Sequence, residues 1–317
     1  MKPSLEIKIG KVTFKNPVMV ASGTFGYAGE FAEKYIGSRH ALALLGAIIT
    51  KTVTVKPRKG NPMPRTCETP AGMLNSIGLE NPGIDAFIKE KLPKLLKFGA
   101  PIIISIASEG DPEEFAILAK RLDKIKKVAA LELNISCPNI KSSQLIAQSP
   151  VTTYEVVTKV RQATSKAIIT KLSPNVTDIT EIAKAAENAG SDAVSLANTF
   201  LGMAIDVGQR KPKLADITGG LSGPAIKPIA VRMVYEVSKS VDIPVIGIGG
   251  IMTTQDALEF IIAGALAVQV GTANFVNPSS AIDIIDGLTK YLKENKIKQI
   301  TSLRGALSEV KSDEAIS

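Results

Sequence analysis

Lys51 and Lys171 each sit within a run that is otherwise apolar, Ala47–Val53 (AIITKTV) and Ala167–Ser173 (AIITKLS). An ammonium taken out of water is costly without an anionic partner, so both positions ask for a bound anion. Two further runs close on Gly249-Gly250-Ile251 and Gly271-Thr272-Ala273. Glycine there lets backbone N–H groups come close to a phosphate.

Cys137 lies in Asn134-Ile-Ser-Cys-Pro-Asn139, just past the apolar run Ala129–Ser136. A loop after a strand, before proline and between two asparagines, is a place for a nucleophile or a base. The chain has one histidine, His40. Proton abstraction therefore falls to Cys, Lys, Asp, Glu or an activated hydroxyl unless His40 serves. His40 ends a helix-like segment and is read as structural, and Cys67, between Thr66 and Glu68, as incidental. Amides at Asn75, Asn134, Asn139 and Asn198 each offer paired donors and an acceptor, which suits a planar heterocycle with amide edges. Asn75 opens Asn75-Ser-Ile-Gly-Leu-Glu-Asn-Pro-Gly83, a loop able to cover a ligand.

Composition narrows the classes. With 317 residues, 45% hydrophobic and 21% charged, the chain can bury a sizeable core, which excludes disorder, collagen and coiled coil. A balance of 38 basic against 30 acidic residues gives +8 without a dense basic run, so no nucleic-acid partner is expected. Two cysteines and one histidine exclude a disulfide framework, a histidine metal cluster and an iron–sulfur cluster held by this chain alone. MKPSLEIKIG has no apolar signal core and the longest apolar runs fall short of a bilayer, so a cytoplasmic protein without membrane contact is expected.

Eight short apolar runs position these residues: Pro17–Gly23, Ala47–Val53, Pro101–Ala107, Ala129–Ser136, Ala167–Ser173, Asp192–Thr199, Pro244–Gly250 and Leu266–Thr272. Between most of them lie helix-like segments, Ile84–Phe98, Pro112–Lys126, Thr152–Ala163, Asp178–Ala189, Ala225–Ser240, Thr254–Ala263 and Ser279–Lys293. Continuous apolar strands alternating with helices imply a parallel sheet covered on both faces, and eight units imply a closed (β/α)8 barrel. The chain reads as one domain over 1–317 with Lys311–Ser317 as a frayed tail. A dinucleotide fingerprint is missing, because Gly247-Ile-Gly-Gly-Ile-Met252 fails at its last position. Thr54–Gly83 and Phe200–Gly223 read as long irregular loops at the barrel's catalytic end.

Five motifs in order, Asn75-Ser-Ile-Gly-Leu-Glu-Asn81, Asn134-Ile-Ser-Cys-Pro-Asn139, Asn198-Thr199 with Gly202-Met203, Gly220-Leu-Ser-Gly-Pro224 and Ile248-Gly-Gly-Ile251, resemble the dihydroorotate dehydrogenase family over about 270 residues. The cysteine resembles the soluble class 1 enzymes. The resemblance implies an FMN flavoprotein that oxidises (S)-dihydroorotate to orotate in pyrimidine (UMP) biosynthesis. By that resemblance Cys137 is the base at C5, and Lys171 faces the flavin's N1–C2 edge. Ala21, Ser22, Gly23, Lys51, Thr52, Asn134, Gly223, Gly249, Gly250, Gly271 and Thr272 cradle FMN. Lys51, Asn75, Gly78, Leu79, Asn134, Asn139, Asn198 and Thr199 hold the orotate ring.

Ser105 departs from the asparagine common in the family at the end of strand three, which puts one ligand hydrogen bond in question. The resemblance leans to class 1B. It implies a homodimer core within a heterotetramer, whose second subunit carries FAD and [2Fe–2S] and reduces NAD+. The alternatives are a fumarate-reducing class 1A homodimer, a dihydropyrimidine dehydrogenase-like flavin barrel, and a non-redox phosphate-binding barrel.

Overall fold

The computed structural model describes residues 3–27, 39–108, 111–136 and 146–308. Cys137, Asn139 and the expected tail Lys311–Ser317 lie outside the described residues, as do the side chains at 39 and 40.

Eight parallel strands close into a barrel in chain order: β1 (Val18–Val20), β2 (Ala47–Ile49), β3 (Ile102–Ile106), β4 (Val128–Asn134), β5 (Ala167–Lys171), β6 (Ala193–Leu196), β7 (Val245–Ile248) and β8 (Ala267–Val270). The ring closes where β8 meets β1, with Val268 beside Val18 and Val270 beside Val20. Seven strands fall inside one of the eight apolar runs, and β4 starts one residue before its run, at Val128. Branched side chains suit this ladder because one face fills the barrel while the other packs under helices. β3 and β5 are buried along their whole length.

Four of the long helices start where a short polar side chain caps the first turn. Asp111 accepts from Glu113 N at 2.8 Å before α1 (Pro112–Asp123), and Asp178 accepts from Thr180 N at 2.8 Å before α3 (Ile179–Asn188). α2 (Pro150–Ala163) begins behind Ser149, and α4 (Lys227–Ser238) and α6 (Ser280–Glu294) complete the later crossovers. Thr253 and Asp256 form a reciprocal cap on α5 (Thr254–Ile262). The segment expected as Ile84–Phe98 is helical from Gly83 to Leu95, with one wide turn over Phe87–Lys91 just before Pro93, which has no N–H to donate.

The two segments expected as irregular loops carry a second sheet, which corrects that reading. Phe200–Met203, Thr218–Ser222, Gly72–Asn75 and Thr66–Thr69 pair antiparallel in that order over the carboxyl ends of the barrel strands. Its glycines serve close approach rather than turns. A Cβ on Gly220 would sit 1.9 Å from Thr199 Oγ1, and one on Gly219 2.8 Å from Asn75 O. A hairpin, Ile7–Ile9 with Val12–Phe14, lies at the opposite end, where Gly10 packs on Asp192 just before β6. No helix among the described residues is long and apolar enough to cross a membrane.

Thr253→Ala removes the hydroxyl that accepts from Asp256 N at 3.3 Å. The variant should lose about 1 kcal/mol of stability, measured as a lower urea midpoint with unchanged slope.

Candidate active site

The strands' carboxyl ends and the small sheet enclose a cavity of about 280 Å³. One wall is backbone. Gly249 and Gly250 follow β7 with φ of 132° and 71°, and Gly223 faces them with φ of 98°. A Cβ on Gly250 would lie 2.8 Å from Lys227 Cβ and 2.9 Å from Gly223 O, so no side chain fits here and backbone forms this part of the cavity wall. Lys227 borders this cradle, but hydrogen bonds to Asp256 and Glu259, at 2.6 and 2.9 Å, engage its ammonium and hold its pKa above the ordinary value. Gly271 and Thr272 continue the wall after β8, where Thr272 donates to Ser222 Oγ at 2.9 Å. Ala21, Ser22 and Gly23 continue it after β1.

A chain of hydroxyls and amides runs along the floor. Ser22 and Thr52 hydroxyls are 3.3 Å apart, Thr52 and Ser105 hydroxyls 2.9 Å apart, and Asn134 Nδ2 donates to Thr52 Oγ1 at 3.0 Å. Ser105 is wholly buried beneath this chain and is not part of the cavity wall.

Asn134 also joins the second wall. Asn198 Nδ2 reaches Ser136 Oγ at 2.9 Å and Asn134 Oδ1 at 3.4 Å, and Thr199 N donates to Asn198 Oδ1 at 2.8 Å. Asn75 enters from the small sheet, tied to Gly220 O at 3.3 Å. Gly78 and Leu79 follow it with φ of 74° and 56°. Leu79 is held there by Asn81, which donates to Leu79 O at 2.7 Å and accepts from Gly83 N at 2.8 Å. Asn81 is thus a buried support. Cys137 follows Ser136 in sequence.

Lys171 is 6% exposed at the end of β5. Lys51 corrects its expected placement: it lies past the end of β2 rather than inside the strand, and is partly exposed in the cavity wall. There it pairs with Glu80 at 3.6 Å. Arg65 also pairs with Glu80. Burial pushes the Glu80 carboxyl up, but the Lys51 charge and the Arg65 hydrogen bond and charge outweigh it and hold the group below its ordinary value. The reading from sequence missed Arg65 and Glu80 as site residues. Glu80 stood in the Asn75–Gly83 loop as an unassigned charge; Arg65 had no signal, since its pairing depends on the small sheet.

The cavity brings together the described residues singled out for a phosphate, a planar ring and an acidic group. It is cationic, with Lys51, Arg65 and Lys171 against Glu80. Among the described residues no cluster of three or more His, Cys, Asp or Glu side chains is arranged for a metal ion. Such a site can hold a phosphorylated, aromatic cofactor on one side and an anionic ring on the other.

The family model described as dihydroorotate dehydrogenase matches residues 4–292. A protein of Geotalea uraniireducens named dihydroorotate dehydrogenase B (NAD(+)), catalytic subunit, is 55% identical over 307 residues, covering 96% of this chain and 99% of that one. Its namesake from Trichlorobacter lovleyi is 55% identical over 308 residues, covering 97% and 99%. Among solved structures, DHODH from Eimeria tenella in complex with ferulenol superposes with a TM-score of 0.79 at 23% identity, covering 95% of this chain and 88% of the other.

Glu80 sets a pH dependence. Its depressed value means that its contribution to stability is complete above the unfolded carboxyl value and is lost as pH falls through the folded one. Glu80→Gln should therefore have a lower urea midpoint than the parent at pH 7, and the gap should narrow as pH falls below the ordinary carboxyl value.

Proposed function

Because the chain belongs to the dihydroorotate dehydrogenase family, we propose that it oxidises (S)-dihydroorotate to orotate in pyrimidine biosynthesis, with FMN held at the barrel mouth. The observation that carries this reading is one cavity that joins a glycine cradle, a buried lysine and a cluster of asparagines.

The residues fit FMN. Gly223, Gly249 and Gly250 line the cavity with backbone at positions too tightly packed against neighbouring protein atoms to carry a Cβ, and such a backbone surface suits a phosphate. Gly271 and Thr272 extend that cradle, while Ala21, Ser22, Gly23, Thr52 and Asn134 supply a small, polar surface for the isoalloxazine. When bound, FMN supplies the two-electron acceptor for the hydride that leaves C6 of dihydroorotate.

The chain's own groups do the rest. Cys137 takes the proton from C5, so the C5–H electrons form the C5=C6 bond as hydride departs from C6. Lys171 sets its ammonium against negative charge that grows on the flavin, an electrostatic role that a dry site strengthens. Asn75, Asn134, Asn139 and Asn198 read the ring's amide edges, and Gly78, Leu79 and Thr199 close around it. Lys51 meets the substrate carboxylate, which favours dihydroorotate over an uncharged dihydropyrimidine.

We assign NAD+ as the final acceptor, reached through an electron-transfer subunit with FAD and [2Fe–2S]. The name that the relatives carry, a catalytic subunit of an NAD(+) enzyme, supports this assignment. In this reading two copies form the core of a heterotetramer that works in the cytoplasm.

The visible spectrum of the purified chain tests the reading. A flavin spectrum that bleaches on anaerobic dihydroorotate and recovers with NAD+ only after the partner subunit is added supports it; a colourless protein overturns it. Cys137→Ser should slow flavin reduction by about 10²–10⁴-fold, the range of general base catalysis, with FMN still bound. Lys171→Ala should weaken FMN binding or slow its reduction, read by titration and stopped flow.

A further inference from the structure

Glu132 is wholly buried inside the barrel, and no step above uses it. It and Lys171 are the two buried ionisable side chains among the described residues, and they are of opposite type. β4 and β5 pair with Glu132 beside Ile169 and Asn134 beside Lys171. Residues two apart on a strand share a face, so Glu132 stands one layer beneath the layer of Asn134 and Lys171.

The carboxylate is anchored from two directions. Ser195, the register partner of Lys171 on β6, donates to Glu132 Oε2 at 3.1 Å. Gln269 on β8, across the ring from β4, donates Nε2 to the same oxygen at 2.7 Å. Glu132 Oε1 has no hydrogen-bond partner among the described residues. Lys171 makes no ion pair with a carboxylate of the described residues. A carboxylate satisfied at one oxygen thus lies one layer below an ammonium with no carboxylate partner among the described residues, in a packed interior that screens charge weakly.

We propose that Glu132 is the buried counter-charge of Lys171, a positioning residue that acts through Lys171, with Gln269 and Ser195 fixing its carboxylate. It holds the ammonium at the floor of the mouth and moderates the pull of that cation on electrons entering the site. The redox half of this proposal rests on the FMN reading above; the pairing of the two charges does not. An unopposed cation would favour the reduced flavin so strongly that passing electrons onward would slow. A carboxylate beneath it offsets part of that attraction, so one site can both accept and release an electron pair.

Two measurements test the proposal. The first is the midpoint potential of FMN bound to the whole chain, set against reference dyes. Glu132→Gln keeps the shape but removes the charge, and should move the equilibrium at least tenfold toward reduced flavin, about 30 mV upward for a two-electron couple. Glu132→Asp keeps the charge and should stay near the parent value. An unchanged potential in Glu132→Gln with FMN bound overturns the redox role.

The second is thermal unfolding without FMN in a cycle of Glu132→Gln, Lys171→Met and the double variant. Lys171→Met leaves the carboxylate unopposed, so adding Glu132→Gln should raise its midpoint by roughly 3 °C. Strictly additive losses overturn the pairing. Should Glu132→Gln fail to fold alone, recovery of a folded protein in the double variant supports it and failure of both overturns it. A parent chain that binds no FMN would instead refute the FMN reading and leave this second measurement to decide the pairing.

Discussion

A closed parallel ladder satisfies the backbone of every interior strand from both sides, and only at the rims do backbone groups and side chains become free to meet something else. In this chain the rim at the carboxyl ends carries Ser22, Thr52, Asn134, Lys171 and Asn198 within a few residues of the last ladder bond. Their mutual placement follows from register. Asn134 and Lys171 are neighbours because β4 and β5 pair there, and Thr52 meets Ser105 because β2 and β3 run side by side. A one-residue slip would turn each of these side chains out of the barrel. The geometry of the mouth is therefore a property of the whole ring rather than of any one loop.

Charge at the mouth is organised by depth. Near solvent, Lys51 and Arg65 share Glu80, which leaves both cations able to exchange that partner for an incoming carboxylate. Deeper, Lys171 is nearly closed off and, among the described residues, pairs with no carboxylate directly. The outer pair is screened by water and suits binding, whereas the inner cation keeps a strong field in a dry setting and suits electron chemistry. Lys227 illustrates a third case: beside the glycine cradle, its charge is already held by Asp256 and Glu259. The cradle then relies on backbone N–H groups, whose direction the strands and α4 determine.

The barrel was legible because its signal is local. Each strand is a run of branched apolar residues, and the polar residue that ends a run marks the rim. Lys171 was legible for the same reason, as a charge at the end of an apolar run. The small sheet was not, because it joins Gly72–Asn75 to Thr218–Ser222, segments distant in the chain, and its glycines mimic turn signals while serving close strand contact. Arg65 and Glu80 depend on that sheet for their meeting, so they stayed hidden with it. Glu132 was hidden for another reason. A lone acid inside an apolar strand has no visible partner until β6 and β8 bring Ser195 and Gln269 against it.

Ser105 shows how the register couples a buried side chain to the mouth. Its side chain is buried under the floor and does not line the cavity. Its hydroxyl lies 2.9 Å from Thr52 Oγ1, which also receives Asn134 Nδ2 at 3.0 Å and lies 3.3 Å from Ser22 Oγ. Since a hydroxyl can donate one hydrogen and accept two, Thr52 can satisfy Ser22, Ser105 and Asn134 at once, with Asn134 as a fixed donor. The orientation of the Thr52 hydroxyl is thus set in part by its buried neighbour Ser105. Because that orientation depends on the β2–β3 contact, a change at Ser105 would act on ligand binding through Thr52.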